Sequence, residues 1–178
     1  IAGSGCAGLY CALQFPKETQ ILLVTKSEVE KSDSFLAQGG ICMLRDASDF
    51  DAFFEDTLKA GHYENDKKSV EIMIRSSQDV VQELLRLGTD FQREEDGTLA
   101  FTREGAHSKK RILYHEDTTG KEITSTLLAR VKERENITIL EHTMLLDIIE
   151  EDNVCYGAVI RKADGSIEIV RAQFTVMA

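Results

Sequence analysis

Three glycines within the first eight residues constrain this chain more than any other feature. Ile1-Ala2-Gly3-Ser4-Gly5-Cys6-Ala7-Gly8 contains G-x-G-x-x-G, followed by a helix-compatible apolar stretch over residues 7–15. Gly3 permits a tight strand-to-helix turn, Gly5 lets a pyrophosphate approach bare backbone, and Gly8 lets helix and strand touch. A phosphate so placed sits at the positive end of a helix, where free backbone N–H groups point at it. Glycine-rich turns occur in many loops, so the setting matters. Ile1-Ala2 read as the end of a strand, and Ile21-Leu22-Leu23-Val24 as a second, parallel, buried one. That order opens a dinucleotide-binding fold; a purely structural turn is the alternative.

The 178 residues suffice for one domain with a proper core. A net charge of −10 argues against nucleic acid as a partner. No apolar run approaches the roughly 20 residues that span a bilayer, and no signal peptide is visible. The four cysteines, Cys6, Cys11, Cys42 and Cys155, lack C-x-x-C spacing, so no metal site is expected. Cys6 and Cys11 read as small buried hydrophobes, and a reducing cytoplasm fits. The chain opens without a start methionine and stops at Ala178 after an apolar run. It reads as a piece of a larger protein.

Pro16 ends the first helix. The second strand covers residues 20–24, and the common fingerprint places an acidic residue at its end to bind ribose hydroxyls. Here Thr25-Lys26-Ser27 stand there, with Glu28 slightly late. Residues 31–44 form a polar, then glycine-paired, then apolar stretch. Gly39-Gly40 would let backbone pack against a flat or anionic ligand, with Ser34 and Gln38 supplying hydrogen bonds; a surface turn is the other reading. Asp49 is expected to cap a helix through Ala60 that Gly61 closes. Asp66 caps a longer one, whose stripe of Val70, Ile74, Val81, Leu84, Leu85 and Leu87 is core, ending at Gly88.

Asp96-Gly97 signals a hairpin within residues 91–101. Residues 102–111 (TREGAHSKKR) are dense in charge, which fits a solvated face, but Arg, Glu, His and Ser around a glycine also suit a small polar substrate. A helix from Thr118 or Thr119 to about Arg134 turns Leu127, Leu128 and Val131 inward. Strands follow at 137–140, 145–149, 154–161 and 167–171, with a last apolar strand at 174–178. The fold class is therefore α/β: a Rossmann-like dinucleotide-binding domain, parallel sheet with flanking helices and a β-meander, truncated, in one domain over residues 1–178.

Taken together these pieces resemble the flavoproteins related to succinate dehydrogenase and fumarate reductase, and within them the L-aspartate oxidases. The resemblance spans essentially the whole chain. It rests on G-S-G-C-A-G-L (3–9), T-K (25–26), S-F-L-A-Q-G-G (34–40), E-D-T (55–57) and A-G (60–61). T-R-E-G-A-H-S (102–108), R-I-L (111–113) and D-T-T-G (117–120) continue it. A-Q-G-G marks the wider group, and R-E-G-x-H-S the aspartate oxidases.

The resemblance implies FAD, with Gly3, Ser4, Gly5, Cys6, Ala7 and Gly8 at its pyrophosphate, Ser4 to Ala7 through backbone N–H groups. Lys26 would stand near the adenosine ribose. Asp33, Ser34, Phe35, Leu36, Ala37, Gln38, Gly39 and Gly40 would wrap the pyrophosphate and run along the flavin. Met144 and Leu145 would meet the adenine through backbone. Many dehydrogenase relatives bind FAD covalently through a histidine four residues before A-Q-G-G. Here that position is Asp33, so non-covalent FAD is expected. The implied reaction is oxidation of L-aspartate to iminoaspartate, the first step of NAD synthesis from aspartate, with oxygen or fumarate reoxidising the flavin. Glu104 would meet the substrate ammonium group, while His107 and Ser108 shape the same loop. Quinolinate synthase is a candidate partner. The capping and helical domains and the remaining catalytic residues are expected beyond Ala178, so residues 1–178 alone should not turn over substrate. A dicarboxylate flavoenzyme of the fumarate or succinate type, and a non-catalytic dinucleotide-binding module, are the alternatives.

Overall fold

A computed structural model describes residues 1–178, and the chain separates into two compact units. Ile1–Leu36 with Ile123–Ala178 make the first, and Ala37–Glu122 the second.

In the first unit the glycine turn leads into helix α1 (Cys6–Gln14), which ends before Pro16. Strand β1 (Ile21–Val24) follows and pairs in parallel with β4 (Ile137–Leu140). Residues 1–3 run parallel beside β1, through Gly3 N–H to Val24 O at 2.9 Å and Val24 N–H to Ile1 O at 2.9 Å. Both observations match the parallel start expected from the sequence. Helix α5 (Thr119–Lys132) begins in the second unit and buries Ile123, Leu127, Leu128 and Val131 in the first. Strands β5 (Met144–Glu151), β6 (Val154–Arg161) and β7 (Ile167–Arg171) form the antiparallel meander, in that spatial order. Register shifts near Leu145 and Ile149 interrupt the β5–β6 ladder.

The strand expected at 174–178 is not a strand. Only Met177 bridges, to Ala2, and two backbone bonds to Ala2 hold the segment. Phe174 and Met177 stay 78% and 69% exposed. A single bridge leaves the segment without the repeated pairing that makes a ladder. Cys6 and Cys11 are half-buried rather than buried.

The second unit is mostly helical. After β2 (Ile41–Cys42) come a one-turn 3-10 helix, α3 (Phe50–Ala60) and α4 (Lys67–Leu87). Asp66 caps α4 through Ser69 N–H at 2.7 Å, and Gly88 ends it at φ +107°. Val70, Ile74, Val81 and Leu84 are buried, as their spacing predicts, while Leu85 and Leu87 are half-buried. Leu44, Phe53, Leu58, Val70 and Ile74 form the core. The Asp96-Gly97 hairpin is present, with a bridge between Arg93 and Leu99 and Gly97 at φ +84°. Strand β3 (Ile112–Leu113) pairs antiparallel with β2, a contact the sequence did not announce because two-residue strands carry no period.

Asp49 needs a different account. It precedes α3, yet its side chain makes no cap bond. Burial beside Arg111 claims the carboxylate instead. Gly61 does follow α3, but at φ −88°; His62 and Tyr63 take the left-handed conformations.

Candidate functional site

In the first unit the three glycines divide by cause. Gly3 sits at φ +119°, and a Cβ there would collide with the Ala178 carbonyl; one at Gly8 would collide with the Gly3 carbonyl. A Cβ at Gly5 would instead find the Ser34 Oγ at 3.0 Å, the movable end of a side chain. The protein's own packing therefore demands glycine at 3 and 8, while Gly5 leaves backbone open to a ligand.

Gly5 precedes α1 in extended conformation, supplies no side-chain cap, and no acidic residue stands in the first turn. Cys6 N–H donates to Ser34 Oγ at 3.1 Å. Ala7 is exposed. A helix start whose cap residue has no side chain, and whose first turn carries no acidic residue, suits an anion at the N–H groups that Ser34 leaves free. Ser4 points inward: its buried hydroxyl bonds Thr25 Oγ1 at 3.0 Å and Val29 O at 3.2 Å. It pins the turn to the end of β1, and only its backbone remains for a ligand. Burial pushes the Cys6 thiol pKa up, so it stays a neutral wall.

Lys26 is exposed directly after buried Thr25. Thr25 N–H donates to Leu140 O at 3.0 Å, Thr143 N–H to Thr25 O at 2.8 Å, and Val29 N–H to Glu141 Oε1 at 2.7 Å. These bonds place the start of β5, with Met144 and Leu145, beside the Lys26 segment. Because β5 is an edge strand, one of its backbone edges is unpaired within the sheet. Asp33 opens the four-residue helix α2 (Asp33–Leu36), which the sequence did not reveal. Ser32 caps it by accepting from Phe35 N–H at 3.2 Å. Phe35 is half-buried, and Asp33 and Leu36 are exposed. Open helix start, approachable Gly5 and exposed cation together fit a dinucleotide with a diphosphate. Of the residues expected at the cofactor, the lining of the cavity of about 570 Å³ in this unit takes Leu145 alone; apolar Ile21, Ile160 and Val170 line part of it.

In the second unit Ala37, Gln38 and Gly39 are exposed and Gly40 is half-buried. A Cβ at Gly40 would strike the Ile112 side chain and the Leu113 carbonyl, so β2–β3 packing requires that glycine. At Gly39 a Cβ would meet only Glu104 Oε2, at 3.4 Å. The structure thus brings the Glu104 carboxylate onto the A-Q-G-G backbone. Glu104 is exposed.

The loop carrying Glu104 is anything but a solvated face at its far end. Arg111 is fully buried, the largest such side chain. Its Nε and Nη2 donate to Asp49 Oδ2 and Oδ1 at 3.0 and 2.8 Å, and its Nη1 to Asp56 Oδ2 at 2.6 Å. The guanidinium lies 4.8 Å from the Phe53 ring centroid. Lys109 Nζ adds a second cation 3.5 Å from Asp49, so two carboxylates face two cations. Burial opposes ionisation of Asp49 and Asp56. The guanidinium, with Lys109 at Asp49 and Ser108 at Asp56, outweighs it and holds both carboxyls below their ordinary range. The same carboxylates raise the Arg111 pKa.

His107 Nδ1 stands 3.1 Å from Arg111 Nη1, which can only donate. The neutral ring therefore carries its proton on Nε2, 3.2 Å from Cys42 Sγ. Burial first, then the Arg111 charge, lowers the His107 pKa. Its basic nitrogen is occupied, which suits a wedge rather than a proton carrier. Burial raises the Cys42 thiol pKa. Cys42, Asp56 and His107, with Phe53 and Met73, line a cavity of about 510 Å³.

Sequence reasoning missed Asp49, Asp56 and Arg111 as one cluster. The available signal was spacing: Asp49 and Asp56 are seven residues apart, two helical turns on one face.

Residues 1–178 match a family model described as FAD binding domain. The L-aspartate oxidase of Clostridium perfringens is 44% identical over all of this chain and 40% of its own length. That of Clostridium acetobutylicum is 41% identical over all of this chain and 41% of its length. The chain thus spans about two fifths of these curated relatives. Among solved structures, E. coli quinol fumarate reductase FrdA matches with a TM-score of 0.92 at 25% identity, over 97% of this chain and 30% of that one. Mycobacterium smegmatis Sdh1 matches with a TM-score of 0.87 at 25% identity, over 96% and 31%.

Proposed function

We propose, from the premise that the chain belongs to the FAD-binding domain family, that it is the nucleotide-binding part of an enzyme oxidising L-aspartate to iminoaspartate. FAD is the cofactor and an FAD-dependent oxidoreductase the class. The substrate, the place in NAD synthesis and the acceptor, oxygen or fumarate, belong to the proposal, as does quinolinate synthase as consumer of the product. A reducing, cytoplasmic setting goes with the four free cysteines. Residues 1–178 form one FAD-binding region in this reading, and the full-length protein carries the activity.

Bound FAD supplies the hydride acceptor. The chain's own residues bind and orient. Backbone N–H groups of Ser4 to Ala7 receive the pyrophosphate, Lys26 stands at the ribose, and Met144-Leu145 backbone meets the adenine. Residues 33–40 follow the pyrophosphate and flavin, with Gly39 exposing backbone. Asp33 stands at the covalent-attachment position and cannot form an imidazole link, so the flavin dissociates; acid precipitation should leave it in the supernatant.

One observation carries the substrate reading: the Glu104 carboxylate is exposed, lies on Gly39, and takes no part in the Asp49–Arg111–Asp56 cluster. A carboxylate there pairs with an ammonium group and repels a plain dicarboxylate. The likeness to fumarate reductase FrdA favours a dicarboxylate enzyme as the second reading. Anaerobic titration of the full-length protein decides. L-aspartate should bleach the flavin and succinate should not; the reverse would overturn the proposal.

A further inference from the structure

We propose that Asp56 is a positioning residue that latches the Glu104 loop and so sets discrimination for an amine-bearing substrate; this rests on the reading of Glu104 above. The loop is closed at its stem, where Thr102 and Ile112 exchange backbone bonds of 2.9 and 3.2 Å. Between them it bends sharply. His107 N–H reaches Glu104 O at 3.3 Å, and Ala106 sits at φ +68°, a left-handed conformation a non-glycine residue adopts only when its surroundings hold it there.

The holding group is the Asp56 carboxylate. Its Oδ2 accepts from Ser108 N–H at 2.8 Å, Ser108 Oγ at 2.7 Å and Arg111 Nη1 at 2.6 Å. Three donors, two from Ser108 and one from Arg111, converge on one oxygen just after His107, whose ring is fixed between Arg111 and Cys42 and meets Phe53 edge-on at 5.9 Å. Asp49 and Asp56 divide the work. Asp49 neutralises the buried guanidinium with a two-pronged pair, and Asp56 alone carries Ser108. Removing Asp56 therefore leaves Arg111 paired and frees the bend, whereas removing Asp49 strips the guanidinium of its two-pronged partner. Glu104 lies four residues before Ser108 on that bend, so its place over Gly39 depends on the latch.

The test uses the full-length protein with Asp56→Ala, Glu104→Gln and the double variant. Hydrogen exchange should show loss of Ser108 amide protection while α3 amides keep theirs. KM for L-aspartate should rise about tenfold, the scale of one charge-assisted hydrogen bond, with kcat for fumarate reduction within about twofold. In the Glu104→Gln background Asp56→Ala should cause no further rise, because Asp56 acts through Glu104. Unchanged Ser108 exchange, or equal loss across α3, overturns the latch. Lost Ser108 protection with unchanged KM overturns its role in discrimination, and a silent Glu104→Gln then overturns the Glu104 reading as well.

Discussion

The two units prepare for a ligand by different means. In the first, backbone does the work: a helix start without a cap, glycines at 3 and 8 forced by carbonyl contacts, and Gly5 open to approach. In the second, side chains do it, with a cluster of four charges, Arg111 among them, holding the bend that presents Glu104. Backbone sites tolerate side-chain change unless a Cβ intrudes. Charge-built sites fail when one partner is lost, because a buried charge without its counter-ion is costly.

That contrast can be broken by mutation. Arg111→Ala, which leaves two carboxylates facing each other, should destabilise by about 3–5 kcal/mol, read from denaturant midpoints. Gly8→Ala should cost less, about 1–3 kcal/mol from overpacking against the Gly3 carbonyl, with loss of yellow cofactor on purification. Should Gly8→Ala prove the costlier change, charge would not be what distinguishes the second unit. Glu104→Gln should leave stability within about 0.5 kcal/mol yet lower kcat/KM for L-aspartate by roughly ten- to a hundredfold, the span of a charged hydrogen bond. Equal loss of fumarate reduction would remove its assigned role. Smallest in stability is Gly5→Ala, where the tightest neighbour is the Ser34 hydroxyl, the end of a side chain: the fold should persist and flavin affinity fall, measured by equilibrium dialysis.

Acid sharpens the same contrast. Asp49 and Asp56 have lowered folded pKa values, so their stabilisation is complete above the ordinary carboxylate value of about 3.9 and fades as pH falls below it. The lowered pKa of His107 acts earlier: protonation opposes the fold as pH drops below about 6.5 toward its folded value. Hydrogen exchange at graded pH should show residues 104–111 loosening before residues 1–9. His107→Gln should remove the earlier of the two steps.

Much of the first unit was legible in the residues. G-x-G-x-x-G specifies turn, helix and parallel neighbour together, since each glycine answers a separate steric demand. The long period of α4 and the Asp96-Gly97 turn announced themselves in the same local way. What local patterns could not supply was Asp49, whose cap position is real and whose carboxylate serves another segment. Arg111 sits in a run that composition reads as solvated.

The sequence by itself determined the glycine turn, the longer helices and the meander, because those depend on residues within a few positions of one another. Only the tertiary structure decided that Asp49 and Asp56 meet Arg111, 62 and 55 residues away, and that Glu104 lies on Gly39. Burial and pairing of charge are properties of chain segments that fold together, and no local period records them.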